Sequence, residues 1–192
     1  MPSLSNTRTH ILDVAQGLMQ QCGFNAVSYA DIGKQLGIRN ASIHHHFPSK
    51  AELGTELTRR YRERVKEVLL TLSAAELSPV SMLEQYVAAY HAVIHGDGRI
   101  CLCTALAGDY GTLPADMQRE VQSFFALNER WLTDVLRQGQ TSGHFRFSES
   151  PRDTALELLA TLEGAMLLAR VRQEPPLFFQ MMDRSLRGLQ AT

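Results

Sequence analysis

Along most of this chain the apolar residues recur at three and four positions, and Gly or Pro interrupts each run. That period gathers apolar side chains on one face of a helix, and no stretch alternates long enough to suggest a strand. In the first segment Ile11, Leu12, Ala15, Leu18, Met19 and Cys22 form one stripe, which Gly23 ends. Ser28 stands where a cap opens a short second helix through Ile32 to Leu36, and Gly37 closes it. Asn40 then reads as the N-cap of a third helix, with Ile43 and Phe47 turned inward and Pro48 as its stop. Three short helices within about 45 residues, with a tight Gly turn between the second and third, make a helix-turn-helix unit.

Ser49-Lys50-Ala51-Glu52 has the spacing of a capping box and opens a long, charged helix reaching about Ser73. Further helices are predicted from Pro79 to about His95, Ile100 to Asp109, Pro114 to Gln138, Arg152 to Arg172, and Pro175 to about Leu189. Gly96-Asp97-Gly98 and the stretch from Gly139 to Pro151 read as connections. The fold class is all-α. Residues 1–52 form the helix-turn-helix domain and residues 53–192 a larger helical domain.

Charge follows the same division. Residues 1–70 carry nine Lys/Arg against six Asp/Glu, and residues 71–192 carry ten against 14. His10, His44, His45 and His46, four of the seven histidines, lie in the first stretch. Attraction to phosphate depends on the local face, so a basic small unit on an acidic larger one is compatible with nucleic acid. Three cysteines, an odd number, suit a reducing compartment better than a disulfide framework. No apolar run approaches a membrane span, and Met1 to Arg8 is polar, so the expected location is the cytoplasm. A Gly-rich phosphate loop, a G-x-S-x-G elbow and an H-E-x-x-H pair are all missing, which argues against an enzyme. An RNA-binding module would want an aromatic platform, and none is apparent.

One region says more. Gly23-Phe24-Asn25-Ala26-Val27-Ser28-Tyr29-Ala30-Asp31-Ile32, then Leu36-Gly37-Ile38, then Ser42-Ile43-His44-His45-His46-Phe47-Pro48-Ser49-Lys50-Ala51-Glu52-Leu53 resembles the TetR family of transcriptional repressors, with the family's gaps. The match covers about 50 residues, and the rest resembles the family only in helical layout. The resemblance implies a homodimer joined by a four-helix bundle, bound to a pseudo-palindromic double-stranded DNA operator and released by a small-molecule effector. It also implies that Tyr29 and residues 38–46, Arg39 among them, line the DNA face, and that Lys50 meets a phosphate beside exposed helix N–H groups. Independently, the major groove admits a helix, and Asn40, Ala41, Ser42, His44, His45 and His46 are the third-helix residues not turned toward the core. Ala41 and Ser42 are small enough to let the backbone approach base edges. Ser28 is expected to be a cap rather than a contact.

Where relatives commonly have Tyr, this chain has His44 and His45. Histidine gains charge in acid and a neighbouring phosphate favours that gain, so operator binding is expected to tighten as pH falls. Neutral imidazoles making plain hydrogen bonds are the alternative. Three consecutive histidines do not converge on one ion, because successive helical residues point about 100° apart.

In the larger domain Tyr86, Tyr90, Phe124, Phe125, Trp131, Met166 and Arg170 are candidates for an effector pocket, or else plain core. Arg170 follows Leu167-Leu168-Ala169 and needs a partner, either Glu163 or a ligand anion. Cys101, at a predicted helix start, looks like the reactive cysteine of relatives that respond to electrophiles, which opens a thiol-sensing alternative. Buried filler is the other reading of Cys101 and Cys103, and Cys22 is expected to be inert on the apolar face. His91, His95, Cys101 and Cys103 also fall close together, but thiols two apart on a helix diverge, so no metal and no cofactor is expected. Leu156, Leu159, Ala160, Glu163, Gly164, Leu167 and Leu177-Phe178-Phe179 are expected to pack against a second copy.

Overall fold

A computed structural model describes residues 4–94 and 97–190. Among these the helices are α1 (Leu4–Cys22), α2 (Tyr29–Leu36), α3 (Asn40–His46), α4 (Lys50–Ala74), α5 (Pro79–Ala88), α6 (Leu102–Gly108), α7 (Ala115–Thr141), α8 (Pro151–Arg172) and α9 (Pro175–Leu189). Short 3₁₀ turns follow α5 (Ala89–Ala92) and α6 (Tyr110–Thr112). The described residues hold no strand, only one isolated bridge between Phe145 and Gln190. The all-α expectation holds. Packing sorts the chain into two compact units, Met1–Glu63 with Cys101–Ser123, and Arg64–Ile100 with Phe124–Thr192. Residues 101–123, which chain order assigns to the larger domain, therefore pack with the helix-turn-helix.

In the first unit the stripe of α1 is buried at Ile11, Leu12, Ala15 and Met19. Cys22, expected on that face, is exposed at the helix end, where its thiol donates to the Leu18 carbonyl at 3.1 Å. The helix stops there because Gly23 has φ +80, and a Cβ at Gly23 would lie 2.7 Å from an Asp109 carboxylate oxygen. Ser28 caps α2 in a full capping box with Asp31, and Gly37 closes it in the left-handed conformation at φ +67. Arg39, not Asn40, is the N-cap of α3, and no side chain bonds there. Asn40 is instead the first helical residue. Ser49 opens α4 by accepting from the Glu52 N–H at 3.1 Å.

In the second unit α5 ends at Ala88 and tightens into the 3₁₀ turn, so the helix predicted to reach about His95 is shorter; His95 lies outside the described residues. Ser150 caps α8 through the Asp153 N–H, and Gln173 ends it at φ 56. α8 has apolar residues on two sides. Ala155, Leu158, Leu159, Leu162, Ala165, Met166 and Ala169 are buried within the unit, whereas Leu156, Leu167, Leu168 and Val171 are exposed. Leu159 and Phe178, expected to meet a second copy, belong to this protomer's own core.

Candidate nucleic-acid interface

With seven residues, α3 is too short to persist without packing. Ile43 and Phe47 supply that packing at 0 % and 1 % exposure. The Tyr29 hydroxyl donates to the Phe47 carbonyl at 2.8 Å, and the Arg8 guanidinium, ion-paired with Glu56, lies 4.6 Å from the Phe47 ring centre. Burial, with the Glu52 carboxylate adding to it, pushes the Tyr29 phenol up to about 12. Tyr29 was expected on the DNA face; the structure makes it a buried residue that positions α3. Arg39, Asn40, Ala41, Ser42, His44 and His45 remain exposed together, and His46 is half-buried.

The His44 ring meets Tyr29 edge-on at 4.6 Å, and its Nδ1 lies 3.4 Å from the Pro48 carbonyl oxygen. To bond that oxygen, Nδ1 must carry the proton. Nε2 of the neutral ring is then an acceptor, and becomes a donor only when the imidazole is charged. His45 and His46 stand edge-to-face at 5.4 Å.

Lys50, at the start of α4, is half-buried with its Nζ 4.3 Å over the Phe24 ring. It donates to the Asn25 carbonyl at 3.4 Å. Burial lowers the Lys50 pKa, with Asp109 and then Asp31 opposing that shift. Asn25 is held from the far side: its N–H donates to Asp109 at 3.0 Å and its side-chain amide to Thr112 at 2.8 Å. Also in this unit, Arg59 and Arg62 each place Nε 2.9 Å from one Glu120 oxygen. Burial by itself would raise the Glu120 pKa, but the hydrogen bonds from the two arginines outweigh it and leave the carboxyl below its usual range. Asn25, Asp109, Thr112 and Glu120 escape sequence reading because single polar residues carry no periodicity and their partners are 58 to 87 residues away.

The effector candidates do not form one lining. Tyr86 donates to Asn128 at 2.9 Å and lies 3.3 Å, oxygen to oxygen, from Tyr90, and Asn128 donates to the Phe124 carbonyl at 2.8 Å. Trp131 has its ring 5.2 Å from Tyr86 and donates to Ser73 at 2.9 Å. Phe125, half-buried, meets Phe124 edge-on at 5.3 Å. Met166 and Arg170 line a separate small cavity. Cys101 sits in the first unit, fully buried, 3.4 Å from the Tyr61 hydroxyl. Burial, with Cys101 adding to it, holds the Tyr61 phenol protonated well above its usual range. Cys103 is also fully buried, so neither thiol has the access that electrophile sensing needs. Asn128, buried, and Ser73 are hydrogen-bond partners of these aromatic residues that the sequence did not single out. His91 is exposed and stacks on Phe179 at 3.7 Å. Among the described residues no three His, Cys, Asp or Glu are placed to hold a metal.

Two family profiles match the chain: bacterial regulatory proteins of the tetR family over residues 11–57, and the tetracyclin repressor-like C-terminal domain over residues 79–184. The second spans more than half of the chain. The chain belongs to the TetR family. It is 30% identical over 151 residues to the HTH-type transcriptional repressor KstR2 of Rhodococcus jostii, covering 74% of this chain and 69% of that one. It is 25% identical to the HTH-type transcriptional repressor DhaR of Mycobacterium sp. strain GP1, covering 88% and 86%. The crystal structure of a TetR-family transcriptional regulator from Agrobacterium tumefaciens superposes with a TM-score of 0.94 at 33% identity, covering 98% of this chain and 100% of that one. This TetR-family regulator thus has the helix-turn-helix and the helical C-terminal domain of its relatives. Among its described residues no helix is long and apolar enough to cross a membrane.

Proposed function

We propose that this regulator is a homodimeric repressor that reads a pseudo-palindromic operator and leaves it when a small-molecule effector binds. The observation that carries this reading is α3: Tyr29, Ile43 and Phe47 are buried beneath it, while Arg39, Asn40, Ala41, Ser42, His44 and His45 stand exposed together. A helix docked in this way enters the major groove with those side chains at base edges, and Lys50 and His46 serve the backbone. Residues 1–52 do the reading. Residues 53–192 supply the dimer contact and the effector site, for which Tyr86, Tyr90, Phe124 and Trp131 around Asn128 are candidates.

The exposed apolar residues of α8 support a partner helix. Leu156, Ala160, Gly164, Leu167 and Val171 follow helical spacing, and Val171 is 80 % exposed. The relatives named above are repressors by name, which supports the same direction of control. Fluorescence anisotropy with labelled duplexes from the promoter region beside its own gene tests the reading. Saturable binding is expected, with His44→Ala/His45→Ala weakening it about tenfold or more, the worth of one good base contact. Equal, weak binding to every duplex by both proteins would refute it.

A further inference from the structure

α3 begins against the local rules for a helix start. Its N-cap is Arg39, in extended backbone, and no side chain bonds the first N–H groups there. Ser, Thr, Asp or Asn is the usual cap, because an oxygen accepts from those groups whereas a cation meets the positive end of the helix. α2 and α8 follow that rule through Ser28 and Ser150. The other arginines of the first unit are all ion-paired: Arg8 with Glu56, Arg59 and Arg62 with Glu120, Arg60 with Asp13, and Arg119 with Asp116. The Arg39 side chain is exposed and meets no hydrogen-bond, ion-pair or ring partner among the described residues. A residue that breaks a local rule with no compensating contact in the fold serves function rather than stability.

The next residue is placed differently. A Cβ on Gly33 would lie 3.1 Å from the Asn40 Oδ1 and 2.8 Å from the Ile38 carbonyl oxygen, so the Asn40 side chain lies back against α2. Asparagine reads adenine with its oxygen and its nitrogen together, and here the oxygen is turned to the protein. Ala41 and Ser42 are short. Among residues 39–42, Arg39 alone combines reach, charge and an unengaged guanidinium.

We infer that Arg39 is the residue that fixes a guanine in each half-site of the operator. Its guanidinium donates two parallel hydrogen bonds to O6 and N7 of that base in the major groove, a pairing that its planar fork fits. The first residues of a helix docked in the groove are the ones that meet base edges. The inference rests on the operator-reading proposal above and names the base that α3 requires. A phosphate contact, the other use of a free cation, would position the protein and carry no sequence information.

Enrichment from a random duplex library with the full chain, as the parent and as Arg39→Ala, tests it. Sequences bound by the parent are expected to share a guanine at two symmetric positions. Those bound by Arg39→Ala should accept any base there, with the rest of the site unchanged. In anisotropy, replacing that guanine by 7-deazaguanine, which removes the N7 acceptor, should weaken the parent about tenfold and the variant not at all. Arg39→Ser, which restores a capping oxygen, should be at least as stable as the parent and lose the guanine in the same way, which separates reading from folding. Parent sites without a symmetric guanine, or a variant that keeps it, would overturn the inference. So would an alanine variant that weakens on every duplex alike with a shallower salt dependence, the mark of a phosphate contact. A parent that enriches no sequence would refute the operator reading, and the inference with it.

Discussion

Asp109 accepts the backbone N–H of Asn25 at 3.0 Å across 84 residues of sequence, and the Asn25 carbonyl in turn accepts from Lys50. The end of α6 therefore sets the α1–α2 turn, and that turn sets the lysine assigned to a DNA phosphate. Asp109→Ala removes one exposed, charge-assisted bond, worth about 1 kcal/mol. A Tm loss of about 2–4 °C is expected, together with a several-fold loss of operator affinity measured well below that Tm. Unchanged affinity would show that the turn does not position Lys50.

Tyr29→Phe leaves the Phe47 carbonyl without its donor in a buried site, at about 1–2 kcal/mol. Weaker operator binding should accompany the loss, because the Tyr29 hydroxyl holds the carbonyl that closes α3. The alkaline limb carries a second signature. The phenol is raised from 10.0 to about 12, so its contribution is complete below pH 10 and disappears as pH rises through about 12. Chemical denaturation across that range should show part of the parent's alkaline loss missing from the phenylalanine variant.

His44 holds its Nδ1 3.4 Å from the Pro48 carbonyl oxygen and its ring edge-on to Tyr29, which fixes the imidazole on the exposed side of α3. His44→Ala should weaken operator binding about tenfold, the worth of one good base contact, with helix content kept. Operator affinity equal to the parent's would dismiss His44 as a contact.

Glu120 is held below its usual range once the Arg59 and Arg62 bonds outweigh burial. A depressed carboxyl contributes stability that is present above its unfolded value and lost as pH falls through the folded one. The parent should therefore lose stability below about pH 4.5, the ordinary value for a glutamate. Glu120→Gln should be less stable at neutral pH and show a shallower acid limb in urea titrations. Parallel acid limbs would mean that the two arginines do not stabilise the charged form.

Val171→Glu tests the exposed side of α8. A charge at a residue 80 % exposed costs the protomer little, but in an apolar helix pair it is buried without a partner. Sedimentation should shift from dimer toward monomer with the protomer's helix content kept, and operator affinity should fall with it. A variant that stays dimeric would move the interface elsewhere.

Local rules carried the sequence a long way. Ser28, Gly23, Gly37, Ser49 and Pro175 mark real helix ends, because a cap or a left-handed turn depends only on neighbouring residues. The i, i+4 pair Ile43 and Phe47 likewise told which side of α3 faces inward, and so which residues are left for DNA. Periodicity alone went astray where two faces of one helix are apolar. Leu159 and Leu156 look alike in the sequence, yet one fills the core and the other faces outward. Only packing could place Tyr29 beneath α3, bury Cys101 against Tyr61, or bring Asp109 to Asn25. Those relationships join residues far apart in the chain, and no local preference encodes a contact whose partner arrives only when the helices assemble.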